Sequence, residues 1–137
     1  MIVIDASVLT EVLLRREEAL EALEHELAGR EHEPLHAPEV IEPETLNALR
    51  KISLRGGITA RRATEAVSDL GHVRLIRYPH APLRPRTWEL RDQLTAYDAA
   101  YVALAEALGD AVLLTADRAL ATAARRLLGA DWVRAVG

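Results

Sequence analysis

A chain of 137 residues with a net charge of −4, half of it apolar and 28% charged, has the size and composition of one globular domain, residues 1–137. It has no cysteine, which excludes disulfides and thiolate zinc sites; with no secretory signal pattern and no apolar run near the roughly 18 residues of a membrane span, a reducing cytoplasm is expected. The negative balance gives no global field for nucleic acid, and with no Phe, two Trp and three Tyr a platform for stacking splayed bases is poorly supplied.

Ile2 to Ile4 are β-branched and continuous, the pattern of a short strand covered on both faces. Leu20, Leu23 and Leu27 recur at helical spacing within Glu17 to Ala28. Pro34 and Pro38 break the next stretch into a loop with room for a short strand, so His32 and His36 read as loop residues and not as a helical metal pair. A third helix then carries Ile41, Leu46, Leu49 and Ile52 and ends at Gly56 and Gly57; if it starts near Glu42, Pro43 takes the favoured first position. Thr59 is placed to cap a helix running to Leu70, and residues 72 to 78 alternate as a strand with one wetter face. Helices at about Pro85 to Leu94 and Tyr97 to Leu108, the strand AVLL, a helix from Asp117 to Leu128 and a short strand near Trp132 complete the chain. Strands this apolar, separated by helices, predict a three-layer α/β/α sandwich around a central parallel sheet.

Ligands of such sheets bind beyond the carboxyl ends of the strands. Asp5 and Asp117 stand at two of those ends, Asp98 in the first turn of its helix and Glu44 on the third helix. Taken singly, each has an ordinary explanation: Asp5 and Asp117 as N-caps, Asp98 as an acid favoured by the helix dipole, Glu44 as solvated surface. Jointly they predict carboxylates gathered at one sheet edge. Acids held within about 4 to 6 Å of one another raise each other's pKa and call for a cation. All-oxygen donors select Mg²⁺ or Mn²⁺, the usual apparatus for in-line attack on a phosphodiester. Ser7 and Thr115, each two residues from an aspartate, add hydroxyls that support the site or simply close turns. Arginines cluster at Arg50, Arg55, Arg61 and Arg62 with Lys51, and again at Arg84, Arg86 and Arg91, and each is first read as solvated helix surface.

The stretch LTAYDAAYVALAEALGDAVLLTADRAL, residues 94 to 120, resembles the third and fourth acidic motifs of PIN-domain ribonucleases, above all the toxins of bacterial VapBC toxin–antitoxin pairs. IVIDASVL resembles the first motif and PETLNALRK the second, so the resemblance spans nearly the whole chain. It implies a metal-dependent endoribonuclease using Mg²⁺ or Mn²⁺, with Asp5, Asp98, Asp117 and Glu44 as catalytic and metal-binding acids and Ser7 and Thr115 in support. It also implies an RNA substrate, a cognate VapB-like antitoxin and homodimerisation. Register within the second motif favours Glu44 and leaves Glu42 as the second candidate.

A phosphoacceptor receiver needs a lysine at a late strand exit, but the one lysine, Lys51, falls on a helix. An aspartate-nucleophile phosphatase needs an acid two residues after the first, where this chain has Ser7. The remaining alternative is a catalytically weak module of the same fold that mainly engages an antitoxin, against which stands the presence of all four acids.

Overall fold

The computed structural model describes residues 1–137. Five strands form one sheet in the order β3-β2-β1-β4-β5, and every neighbouring pair is parallel. The strands are β1 (Ile2–Ile4), β2 (Leu35–Pro38), β3 (Leu75–Tyr78), β4 (Val112–Thr115) and β5 (Val133–Ala135). Seven α-helices connect them: α1 (Ala6–Leu13), α2 (Glu17–Leu27), α3 (Ile41–Leu54), α4 (Ala60–Leu70), α5 (Arg84–Glu89), α6 (Ala96–Leu108) and α7 (Arg118–Leu128). They fall into two layers, α1 packing on α2, α3 and α4, and α6 packing on α5 and α7, which gives the expected α/β/α sandwich.

The apolar strands explain themselves by position. β1 lies at the centre of the sheet with all three residues buried. Removing each such side chain from water stabilises the fold by about 1.5–3 kcal/mol. Truncating the fully buried Ile4 to Ala would cost about 2–5 kcal/mol and loosen the strand that carries Asp5. α6 is buried from Ala99 to Ala105, and its alanines let the helix lie close against β1, β2 and β4. It ends at Gly109, whose φ of 82° is a left-handed conformation that favours glycine. β3, at the sheet's edge, is only partly buried, but the residue it exposes is the apolar Ile76 and not a polar one, so the expected polar face is not the wetter one.

Four other details differ from the sequence reading. The segment between Pro34 and Pro38 is a full strand, and His36 is a buried member of it, its Nδ1 2.7 Å from the Tyr78 hydroxyl of β3. The proline that suggested a loop is tolerated because Pro38 is the strand's last residue. β3 begins at Leu75, since residues 71 to 74 still turn out of α4. α5 stops at Glu89, and its predicted last residues form the turn that leads to the Thr95 cap of α6. α3 begins at Ile41, so Pro43 sits third in the helix and not first. A proline there costs no hydrogen bond, because the N–H groups of a first turn have no partner within the helix.

Candidate active site

The chain runs from β1 outward to β2 and β3, then returns to lay β4 on the other side of β1. The carboxyl ends of β1 and β4 therefore flank the point where strand order reverses, the place where open α/β sheets bind ligands. Ile4 pairs with Leu114, and the Asp5 N–H donates to the Leu114 carbonyl at 3.3 Å.

Asp5 follows β1 directly and is 4% exposed. Its Oδ1 accepts the Val8 N–H at 3.0 Å, which caps α1, and the Ser7 hydroxyl at 2.6 Å; its Oδ2 accepts the Thr115 hydroxyl at 2.5 Å. Ser7 Oγ in turn accepts the Ala116 N–H at 2.9 Å, and Thr115 Oγ1 the Asp117 N–H at 3.0 Å. This network ties the two strand exits together and holds the Asp5 carboxylate in one orientation. Asp117 Oδ1 caps α7 by accepting the Ala119 and Leu120 N–H groups at 2.9 and 3.1 Å, while the residue itself stays exposed. Both aspartates thus cap a helix while standing at a strand exit of the sheet.

Asp98 lies in the first turn of α6, behind the Thr95 cap. Partial burial, and then the charges of Asp117, Asp5 and Glu44, push its pKa up to about 6. Glu44, half-buried on α3, is also raised, first by burial; the Tyr101 hydroxyl donating to its Oε1 at 2.7 Å opposes the shift, Asp5 adds to it, and His80 opposes it. Asp5 is raised by burial against the hydrogen bonds from Ser7, Thr115 and Val8, with Asp117 adding to the rise. Asp98 therefore lies within electrostatic reach of the other three acids, and Asp5 within reach of Glu44 and Asp117. Glu42 does not join them, being ion-paired with Arg77 of β3.

Sequence reasoning missed Tyr101 and His80. Tyr101 was legible in principle, as it lies one helical turn after Asp98 and so shares its face. His80 was not, because its place depends on β3 bringing the following turn alongside Val40, whose N–H it accepts at 3.1 Å.

None of the four acids has a Lys or Arg partner, although glutamates elsewhere on the surface are paired. Like charges kept together without a basic partner are a donor set for a hard cation; burial first, and then the neighbouring acids, raise the pKa values of Asp5, Glu44 and Asp98. No three of the carboxylates converge closely enough to hold an ion together as they stand. Of the four, Asp98 is the one whose carboxylate no hydrogen bond of the fold holds, whereas Asp5, Glu44 and Asp117 are each bonded.

Fold and site define a parallel α/β sandwich with an acid cluster at its topological switch point. Comparison with known proteins gives that class its family: the model of the PIN domain matches residues 2–126, and the chain belongs to the PIN-domain family. It is 38% identical over 117 residues to ribonuclease VapC9 of Mycobacterium tuberculosis, covering 85% of this chain and 86% of that protein. It is 35% identical over 122 residues to ribonuclease VapC3 of the same organism, covering 89% and 86%. Among solved structures, PAE2754 from Pyrobaculum aerophilum superposes with a TM-score of 0.64 at 26% identity, covering 89% of this chain and 78% of that one.

Proposed function

We propose that this chain is an endoribonuclease that cuts RNA phosphodiesters as the toxin of a toxin–antitoxin pair. The observation that carries the reading is the set of four acids at the switch point without a basic partner, on a chain similar over most of its length to ribonucleases of the VapC group. Asp5, Asp98 and Asp117 would hold Mg²⁺ or Mn²⁺, which would supply charge stabilisation for the attacked phosphate.

The residues of the chain supply the rest. Ser7 and Thr115 hold Asp5 on a buried strand exit, where its position is fixed more tightly than on a loop. Glu44 accepts a proton from the attacking water and orients it, while Tyr101, donating to one oxygen, opposes the burial that raises the carboxyl's pKa and leaves the other oxygen for the water. The reading extends to one unit over residues 1–137, cytoplasmic, acting as a homodimer inhibited by a VapB-like antitoxin.

Incubating purified protein with structured RNAs, with and without Mg²⁺ or Mn²⁺, and alongside Asp98→Asn, tests the proposal. Cleavage by the parent with metal, absent in chelator and in the variant, is expected. Cleavage that survives chelation overturns the metal role, and an intact variant overturns the site.

A further inference from the structure

Four acids make a poor landing place for a polyanion, so a phosphodiester can reach them only if cations beside them hold its neighbours. Next to the acids the chain builds such a surface. A groove of about 660 Å³, within the roughly 300–1,000 Å³ range of ligand pockets, runs between the turn after β3, α5 and the start of α6. Its wall carries His80, Arg84, Trp88, Arg91 and Tyr97 and no acidic side chain. His80 of this wall acts on the charge of Glu44, and Tyr97 directly precedes Asp98, so the groove lies beside the acids.

The arginines here are not equivalent. Arg86 is committed to Glu106 and Glu89. Arg84 forms no ion pair, and Arg91 lies with its guanidinium 4.7 Å from the centre of the Trp88 ring, bonded only to the Trp88 carbonyl. Trp88 and Tyr97 are 67% and 59% exposed, the most exposed aromatics of a chain that has five. A composition that looked too poor in aromatics for base stacking has placed two of them in one basic groove.

We propose that this groove holds a single-stranded stretch of the RNA substrate beside the acids, one unstacked base lying on Trp88 with Tyr97 as the second wall, and Arg84 and Arg91 on the flanking phosphates. The proposal rests on the ribonuclease reading for the identity of the polymer. Planar aromatic surface next to unpaired guanidinium groups is the combination single-stranded nucleic acid uses, since every base has a stacking face and every link a charge. Trp88 and the two arginines are thus positioning residues.

The test uses Trp132→Phe protein, in which Trp88 is the sole tryptophan, titrated in chelator with a short unstructured RNA of mixed sequence. Trp88 fluorescence should be quenched. By anisotropy of the labelled RNA, Trp88→Ala should weaken binding roughly five- to a hundred-fold. Arg84→Ala and Arg91→Ala should each lower the slope of log affinity against log salt by about 0.7. Arg84→Ala alters a side chain without an ion pair in the fold, so its result does not depend on the variant's packing. With metal present, Trp88→Ala should raise KM with kcat nearly unchanged, and a duplex RNA of the same sequence should bind parent and Trp88→Ala alike. Unquenched Trp88 together with parent-like RNA binding by Trp88→Ala and Arg84→Ala overturns the proposal. So does quenching by a short acidic peptide but not by RNA, which would assign the groove to a protein partner. A parent that binds RNA through Trp88 yet cleaves none with metal leaves the groove standing and overturns the nuclease reading.

Discussion

The two halves of the site are built in opposite ways. At the exits of β1 and β4, Asp5 is buried and bonded by Ser7, Thr115 and Val8, so its position is fixed by the centre of the sheet. The groove alongside stands on the six-residue α5 and the turns around it, with its aromatics mostly in solvent. Chemistry needs a carboxylate held to a fraction of an ångström, whereas gripping a polymer of varied sequence needs charge and flat surface that can adapt. Rigid strands serve the first and exposed short elements the second, which also means that the groove can change without disturbing the acids.

The largest expected effect separates those halves. Asp98→Asn should reduce RNA cleavage on the order of 10²–10⁴-fold while leaving RNA affinity in chelator unchanged or improved, since it removes a charge that repels phosphate. The same variant should melt higher than the parent without metal, because burial, and then three neighbouring acids, disfavour the ionised Asp98 and raise its pKa to about 6. Kinetics and thermal melting of one preparation check both. A variant that loses activity and stability together would mean that the acids are structural.

Next in size is Tyr101→Phe. Its hydroxyl lowers the Glu44 pKa, so removing it lets burial and Asp5 push that carboxyl higher. Cleavage near neutral pH should fall by about tenfold, with the acid limb of the pH–rate profile displaced to higher pH. A uniform loss across pH would make Tyr101 a packing residue only.

How much of this could be read from the chain alone divides along the same line. The strand exits were legible because a buried strand ending in an acid is a local pattern, and Asp5 and Asp117 each lie within a few residues of the strand that positions them. Thr59 and Gly109 likewise mark helix ends through local chemistry. The groove was not legible. Arg84, Arg86 and Arg91 look alike in sequence, and only the arrival of Glu106 from α6 decides that Arg86 is paired and the others are available. His36 was misread for a similar reason, as its strand is defined by pairing with β3, some forty residues away, and not by its own prolines.

A smaller effect concerns pH and stability. Because Asp98 binds its proton more tightly folded than unfolded, the native state takes up protons between about pH 4 and 6, and the contribution of this site to stability falls as pH rises through that window. Asp5 and Glu44 act in the same direction. Without metal, the parent should therefore gain about 2–4 °C in Tm relative to Asp98→Asn on going from pH 7 to pH 5. Saturating Mn²⁺ should reverse the sign of that difference, since a cation favours the ionised carboxylates. An Mn²⁺-independent difference would show that the raised pKa reflects burial alone.

The smallest expected effect is the sharpest discriminator between Glu44 and Glu42, which are two residues apart in one helical turn and differ in what the fold brings to them. Glu42 meets Arg77 from β3, a partly exposed ion pair of the kind that contributes about 0–1 kcal/mol. Glu44 meets Tyr101 and the field of Asp5. Glu42→Gln should leave cleavage within about threefold of the parent and lower Tm only slightly, and Arg77→Ala should match it, because each removes the same pair. Glu44→Gln should remove most of the activity at little cost in Tm, since it exchanges a carboxylate disfavoured by its surroundings for a neutral isostere. If Glu42→Gln were instead the inactive variant, Arg77 would have to release its partner when substrate or metal binds, and α3 would present a different face to the sheet edge than the one seen here.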